Sequence, residues 1–263
     1  MADTATHAPG TFCWPELVTT DQQAATAFYR QLFGWDVKVQ PIGPTETYSM
    51  FESKSRPVAA AASLRPEQLQ QGIPPHWGSY VAVANADEAV KRAQALGGQL
   101  LVPAFDVMDA GRMAVLQDPT GAMFMVWQAG RHHGVGALNE PGALCWTELA
   151  TRDTKTAEKF YTQLFGWTAK VGGEGTPMEY TEFSNSGRPG VGMMQMPAQV
   201  PAHVPPYWMP YFQVVDCDAS AEKAKQLGAH IAVPPMDIPD TGRFSVIADP
   251  QGAMFAVFTP RGQ

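Results

Sequence analysis

Two glutamates stand in closely matched surroundings, Glu16 in Cys13-Trp-Pro-Glu-Leu17 and Glu148 in Cys145-Trp-Thr-Glu-Leu149. A carboxylate in such an apolar run has two uses. Tied to an arginine or a backbone amide it is structural; without such a partner its pKa climbs toward the range useful for proton abstraction. Arg56, Arg188, Arg112 and Arg243 are the available cations. Glu16 and Glu148 are therefore candidate general bases, with the tied carboxylate as the alternative. Side chains alternate along a strand, so Trp14 shares a face with Glu16 and Trp146 with Glu148. With Trp77 and Tyr80 in the first half, and Trp208 and Tyr211 in the second, these residues would wall a small-molecule pocket. Core filling accounts for the tryptophans equally well. Tyr48 and Tyr180 occupy matching positions and offer a phenol donor to a ligand, or simply cap a sheet edge.

Other chemistries find little support. The six histidines, His7, His76, His132, His133, His203 and His230, show no metal-ligand spacing and no Ser-His-Asp order. Cys13, Cys145 and Cys217 are too scattered for a disulfide framework and read as small hydrophobes. There is no G-x-x-x-x-G-K-S/T loop and no G-x-G-x-x-G turn.

The elements that must position these residues come as a duplication. Pro9 to Asp36 aligns without gaps on Pro141 to Thr168, with 16 of 28 positions identical. Trp77 and Tyr80 match Trp208 and Tyr211, and Asp118-Pro-Thr-Gly121 matches Asp249-Pro-Gln-Gly252. This is a repeat of a whole domain, giving domains over 1–129 and 141–263 joined by a glycine-rich linker, 130–140. Within a half, a strand over Phe12 to Val18 leads to a helix from about Asp21. Its apolar residues Ala25, Phe28, Tyr29, Leu32 and Phe33 follow helical spacing, with Asp21 as N-cap and Gly34 as stop. Strands over 35–40, 47–52 and 58–64 follow, then a proline-rich loop over 66–75. The second half-repeat has a strand over 80–84, a helix over 86–96, and strands near 100–102, 112–117 and 122–127. Each half reads as two βαβββ modules, four in the chain. Asp-Pro-x-Gly between the last two strands is a turn: proline presets φ, aspartate bonds its own backbone and glycine closes it.

Composition fits such a globular chain. The 263 residues are 45% hydrophobic and 16% charged, with 18 Lys and Arg against 25 Asp and Glu, a net charge of −7. An acidic surface disfavours unspecific binding to nucleic acid or anionic membrane. No apolar run reaches membrane-spanning length and the first ten residues lack a signal-peptide layout, so the expected compartment is the cytoplasm.

The Asp-x6-Phe-Tyr-x3-Phe-Gly-Trp-like run (Asp21, Phe28, Tyr29, Leu32, Phe33, Gly34, Trp35, and again Asp153 to Trp167) and the closing Asp-Pro-x-Gly-x-x-Phe hairpin occur twice, in order. On these motifs the chain resembles the vicinal oxygen chelate superfamily of glyoxalase I, bleomycin resistance proteins and extradiol dioxygenases. The resemblance implies an α+β fold, a tandem duplication of a glyoxalase-like domain whose four βαβββ modules form two U-shaped half-barrel sheets. It also implies a metal held by residues of the first, fourth, fifth and last strands. Those positions here hold Trp14 and Trp146, apolar residues apart from Gln195, Tyr80 and Tyr211, and Met125 and Ala256. These are poor ligands for hard divalent cations, so the expectation is no metal and no cofactor.

Two functions fit. One is a protein that binds a small, aromatic or apolar molecule in a metal-free cavity. The other is a lyase, isomerase or oxygenase of the superfamily using Glu16 or Glu148 as base. Four modules in one chain can pair internally, so a monomer is expected.

Overall fold

The computed structural model describes residues 7–176 and 179–262. It contains the four expected modules. The first is β1 (Phe12–Thr19), α1 (Gln22–Phe33), β2 (Asp36–Pro41), β3 (Thr47–Ser53) and β4 (Arg56–Ser63). A short helix, α2 (Pro66–Gln70), stands in the proline-rich segment, begun by a proline at its first turn. The second module is β5 (His76–Ala82), α3 (Ala86–Ala95), β6 (Gln99–Val107), β7 (Gly111–Gln117) and β8 (Met123–Ala129). The second repeat supplies β9 (Leu144–Thr151), α4 (Thr154–Phe165), β10 (Thr168–Gly172), β11 (Tyr180–Asn185) and β12 (Arg188–Gln195). It ends with β13 (Tyr207–Gln213), α5 (Cys217–Gln226), β14 (His230–Ile238), β15 (Gly242–Ala248) and β16 (Met254–Pro260). The class is α+β, with two eight-stranded sheets ordered β2-β3-β4-β1-β5-β8-β7-β6 and β10-β11-β12-β9-β13-β16-β15-β14.

The helix boundaries have the local causes read from the sequence. Asp21 accepts a hydrogen bond from the Ala24 amide and Asp153 from the Thr156 amide, while Gly34 and Gly166 close their helices at φ 71° and 73°.

Packing divides the chain differently from the repeats. One compact unit comprises the chain up to Trp14, Ser79–Gly134 and Trp146–Met209; the other comprises Pro15–Gly78, Val135–Cys145 and the chain from Pro210. The expected division at 1–129 and 141–263 is thus that of the sequence repeat, not of compactness. In the first unit α3 lies against α4, and in the second α1 lies against α5.

Each unit is centred on an aromatic relay. In the second, Tyr29 of α1 is fully buried; its hydroxyl accepts from Trp77 Nε1 at 3.0 Å and donates to Asp249 Oδ2 at 2.9 Å. Phe51, Phe212 and Phe255 surround it. In the first, Trp208 Nε1 donates to Tyr161 Oη, which donates to Asp118 Oδ2, both at 2.9 Å. Burial and the adjoining aspartate push both phenols well above their ordinary pKa.

Candidate active site on the sheet face opposite the helices

In the first unit the period-two alternation sends Leu149, Phe183 and Met193 into the core. It leaves Trp146, Glu148, Tyr180 and Glu182 on the other face. Glu148 on β9 lies opposite Gly192 on β12, and Gly192 opposite Glu182 on β11, so two carboxylates flank one glycine in a row. Tyr180 leans across that gap. Its hydroxyl donates to Glu148 Oε2 at 2.9 Å and accepts from Trp146 Nε1 at 2.9 Å. Only glycine allows this, because a Cβ at residue 192 would lie 1.8 Å from Tyr180 Oη and 2.7 Å from Trp146 Nε1.

Glu148 is only 8% exposed, whereas Trp146, Tyr180 and Tyr207 are half-buried. Burial, then the Glu148 charge, raise the pKa of Tyr180 far above the ordinary phenol value. Tyr207, at the start of β13, is raised for the same two reasons. Both phenols therefore stay protonated and face a negative potential.

The second unit repeats half of this arrangement. Tyr48 Oη on β3 donates to Glu16 Oε2 on β1 at 2.6 Å. The matching row reads Met50, Ala60 and Glu16, with a methionine for Glu182 and an alanine for Gly192. The two matched tyrosine and glutamate positions are thus brought together twice, by the same pairing of strands.

Other sequence candidates fall elsewhere. Trp77 and Trp208 do not wall a pocket beside Tyr80 and Tyr211. Each lies an odd number of residues from its tyrosine, so it points to the opposite, helix-covered face and donates to the relay tyrosine. Tyr80 hydrogen-bonds to Met113 Sδ at 3.8 Å and Tyr211 lies by Phe244, ring centroids 6.3 Å apart. Trp14 is 4% exposed and meets the His132 ring edge-on at 4.3 Å. The arginines weighed as partners of the glutamates have other commitments. Arg56 binds Glu140, Arg112 binds Asp87 and Asp106, Arg243 binds Asp218 and Asp237, and Arg188 is exposed.

Comparison with known proteins agrees with this architecture. The model of the Glyoxalase/Bleomycin resistance protein/Dioxygenase superfamily matches residues 11–126 and again 143–257. The chain belongs to this superfamily. It is 40% identical over the whole length of both chains to a Mycobacterium tuberculosis protein named "Putative glyoxylase CFP32". It is 34% identical to the "Anthracycline biosynthesis protein DnrV" of Streptomyces peucetius, covering 95% of this chain and 93% of that one. Among solved structures, the Mn(II)-bound glyoxalase from Novosphingobium aromaticivorans shares the fold at TM-score 0.64 and 15% identity, over 95% of this chain and 82% of that one. The 2,3-dioxygenase LapB from Pseudomonas sp. KL28 does so at TM-score 0.62 and 14% identity, over 98% and 93%.

A superfamily metal does not fit the residues present. Of the positions where the resemblance places ligands, Tyr80 lies opposite Met125 and Tyr211 opposite Ala256. Among the described residues no group of three or more His, Cys, Asp or Glu side chains is placed to hold a metal ion. The side chains at these positions are phenols, indoles, a thioether and the single amide of Gln195, whose Nε2 donates to the Arg152 carbonyl at 3.1 Å, a set that does not suit a hard divalent cation.

Sequence reasoning passed over Gly192, Tyr207 and Glu182. Comparing the repeats could have found them, since Gly192 replaces Ala60, Tyr207 replaces His76 and Glu182 replaces Met50.

Proposed function

We propose that the protein binds a small planar molecule, aromatic or apolar, on the Trp146, Tyr180 and Glu148 face of the second repeat without a metal. The half-buried chain of hydrogen bonds from Trp146 through Tyr180 to Glu148, laid over Gly192, carries this reading. The half-buried indole of Trp146 offers apolar ring surface for stacking, and the protonated phenols with a carboxylate give one polar end that favours a ligand donating a hydrogen bond. The relative named for anthracycline biosynthesis supports a planar, fused-ring ligand class. Thermal-shift screening of aromatic natural products tests it, with Trp146→Phe as control. Stabilisation lost in the variant supports the reading; no stabilisation by any flat compound overturns it.

A second reading is favoured by the recurrence of the tyrosine and glutamate pair in both repeats, and by the relative named as a glyoxylase. Here Glu148 or Glu16 takes a proton and a tyrosine holds the developing oxyanion. If so, Glu148→Gln or Glu16→Gln abolishes turnover of a candidate substrate while leaving its affinity nearly intact; unchanged turnover in both removes the idea.

A further inference from the structure

In the first repeat, aromatic rings of two strands gather around a residue of the linker, His132. Trp14 on β1 and Trp127 on β8 both meet the ring of His132. The centroid of Trp14 lies 4.3 Å away at 84° and that of Trp127 5.8 Å away at 69°, both edge-on. Tyr80 closes on Trp127 at 6.2 Å and 84°. The backbone holds the histidine in place, since the Trp127 indole donates to the His132 carbonyl at 2.9 Å and the His132 amide to the Ala110 carbonyl at 3.0 Å. Yet the ring itself is poorly satisfied: His132 Nε2 is buried with no hydrogen-bond partner among the described residues. An imidazole shut between two indoles with a nitrogen unmatched has the geometry of a ligand in an aromatic clamp rather than of a core residue, which would pair its nitrogens.

We propose that Trp14, Trp127 and Tyr80 form a binding site for a neutral five-membered heteroaromatic ring, an azole, which the protein occupies with His132. The first-repeat site is therefore closed to outside ligands, and the molecule of the proposed function binds once per chain, at the second repeat. The closed site stands on its own geometry; the stoichiometry rests on the proposed function.

The direct test uses imidazole itself. His132→Gly removes the ring and leaves the clamp. Added at millimolar concentration at pH 8, where it is neutral, imidazole should raise the Tm of His132→Gly by several degrees in a saturable way, and leave wild type unmoved. The gain should vanish in His132→Gly/Trp14→Ala. No saturable gain in folded His132→Gly, or an equal gain in wild type, overturns the clamp. Should His132→Gly fail to fold, His132→Ala opens the same space and the imidazole titration is repeated in it. A saturable gain there that is lost in His132→Ala/Trp14→Ala supports the clamp; no gain overturns it.

A planar compound found by the screen gives the stoichiometry by calorimetry, one site per wild-type chain. Two in wild type overturns the closure. Failure of every planar compound, with imidazole rescue intact, counts against the proposed function and not against the clamp.

Discussion

Substituting Gly192 with alanine tests whether the Tyr180 arrangement shapes the site. The backbone there is not in the left-handed region, so alanine itself is tolerated and by chain entropy alone would stabilise by about 0.4–1 kcal/mol. The added methyl group, however, would sit 1.8 Å from Tyr180 Oη, 2.5 Å from its Cζ and 2.7 Å from Trp146 Nε1. Tyr180 must swing away, which breaks its bond to Glu148 and the one it accepts from Trp146. The first is to a carboxylate, worth about 1.5–3 kcal/mol, the second about 1 kcal/mol. Subtracting the entropy gain leaves a loss of about 1.5–3.5 kcal/mol, or roughly 3–14 °C in Tm for a chain of this size. Urea denaturation followed by tryptophan emission measures it. The decisive comparison repeats the substitution in a Tyr180→Ala/Trp146→Ala background, where both side chains that the methyl would meet are gone and the cost should fall to within about 0.5 kcal/mol of zero. An equal cost in both backgrounds would refute the reasoning, because strain would then lie in the backbone and not in the tyrosine.

Three further outcomes follow from buried polar groups. Tyr29→Phe and Tyr161→Phe each orphan a buried indole donor and a buried carboxylate oxygen, and each should cost about 2–4 kcal/mol in urea denaturation; a loss below about 0.5 kcal/mol would show that the relays add nothing. Burial, with His133 and His7 near, lowers the pKa of His132 from 6.5 to about 4. The fold therefore favours the neutral ring: the full stability it allows is present above pH 6.5 and is lost as the pH falls toward 4, by about 3 kcal/mol at most. Relative to His132→Phe, wild type should weaken progressively between pH 7 and 4, and a parallel pH profile would contradict this. Burial pushes the Cys13, Cys145 and Cys217 thiols up to about 12, so a disulfide reagent at pH 8 should label none rapidly in the native state and all three after denaturation; a fast-reacting native thiol would place one of them in an open site.

Much of the fold was legible because it rests on two periods and a repeat. Helical spacing of Ala25, Phe28, Tyr29 and Leu32, bracketed by Asp21 and Gly34, and alternation along β1 and β9 specify elements locally. The pairing of Tyr48 with Glu16, and of Tyr180 with Glu148, needs the register of three strands, which the sequence does not state; matching positions in the repeats only hinted at it. The inward turn of Trp77 and Trp208 was legible in principle, since three residues separate each from its tyrosine on a strand of period two. His132 was not. It lies in a glycine-rich linker without periodicity, and its place against Trp14 and Trp127 depends on where the chain returns after β8.

The two motifs of each repeat have one physical explanation. Read singly, the Phe-Tyr pair is a helix face and Asp-Pro-x-Gly is a turn. Asp118 does build its turn, accepting through Oδ1 from the amides of Thr120, Gly121 and Ala122. Its other oxygen accepts from Tyr161, a helix residue of the other repeat, just as Asp249 accepts from Tyr29. A turn aspartate that is 2–3% exposed needs a donor for its second oxygen, and a fully buried tyrosine needs an acceptor for its hydroxyl. Neither repeat satisfies both within itself. Each helix therefore finds its acceptor in the turn of the other repeat, and so each compact unit draws on both repeats while the sequence duplicates as a single piece. The same relay holds Trp208 on the helix-covered side of its sheet, opposite the face of Glu148, Tyr180 and Trp146.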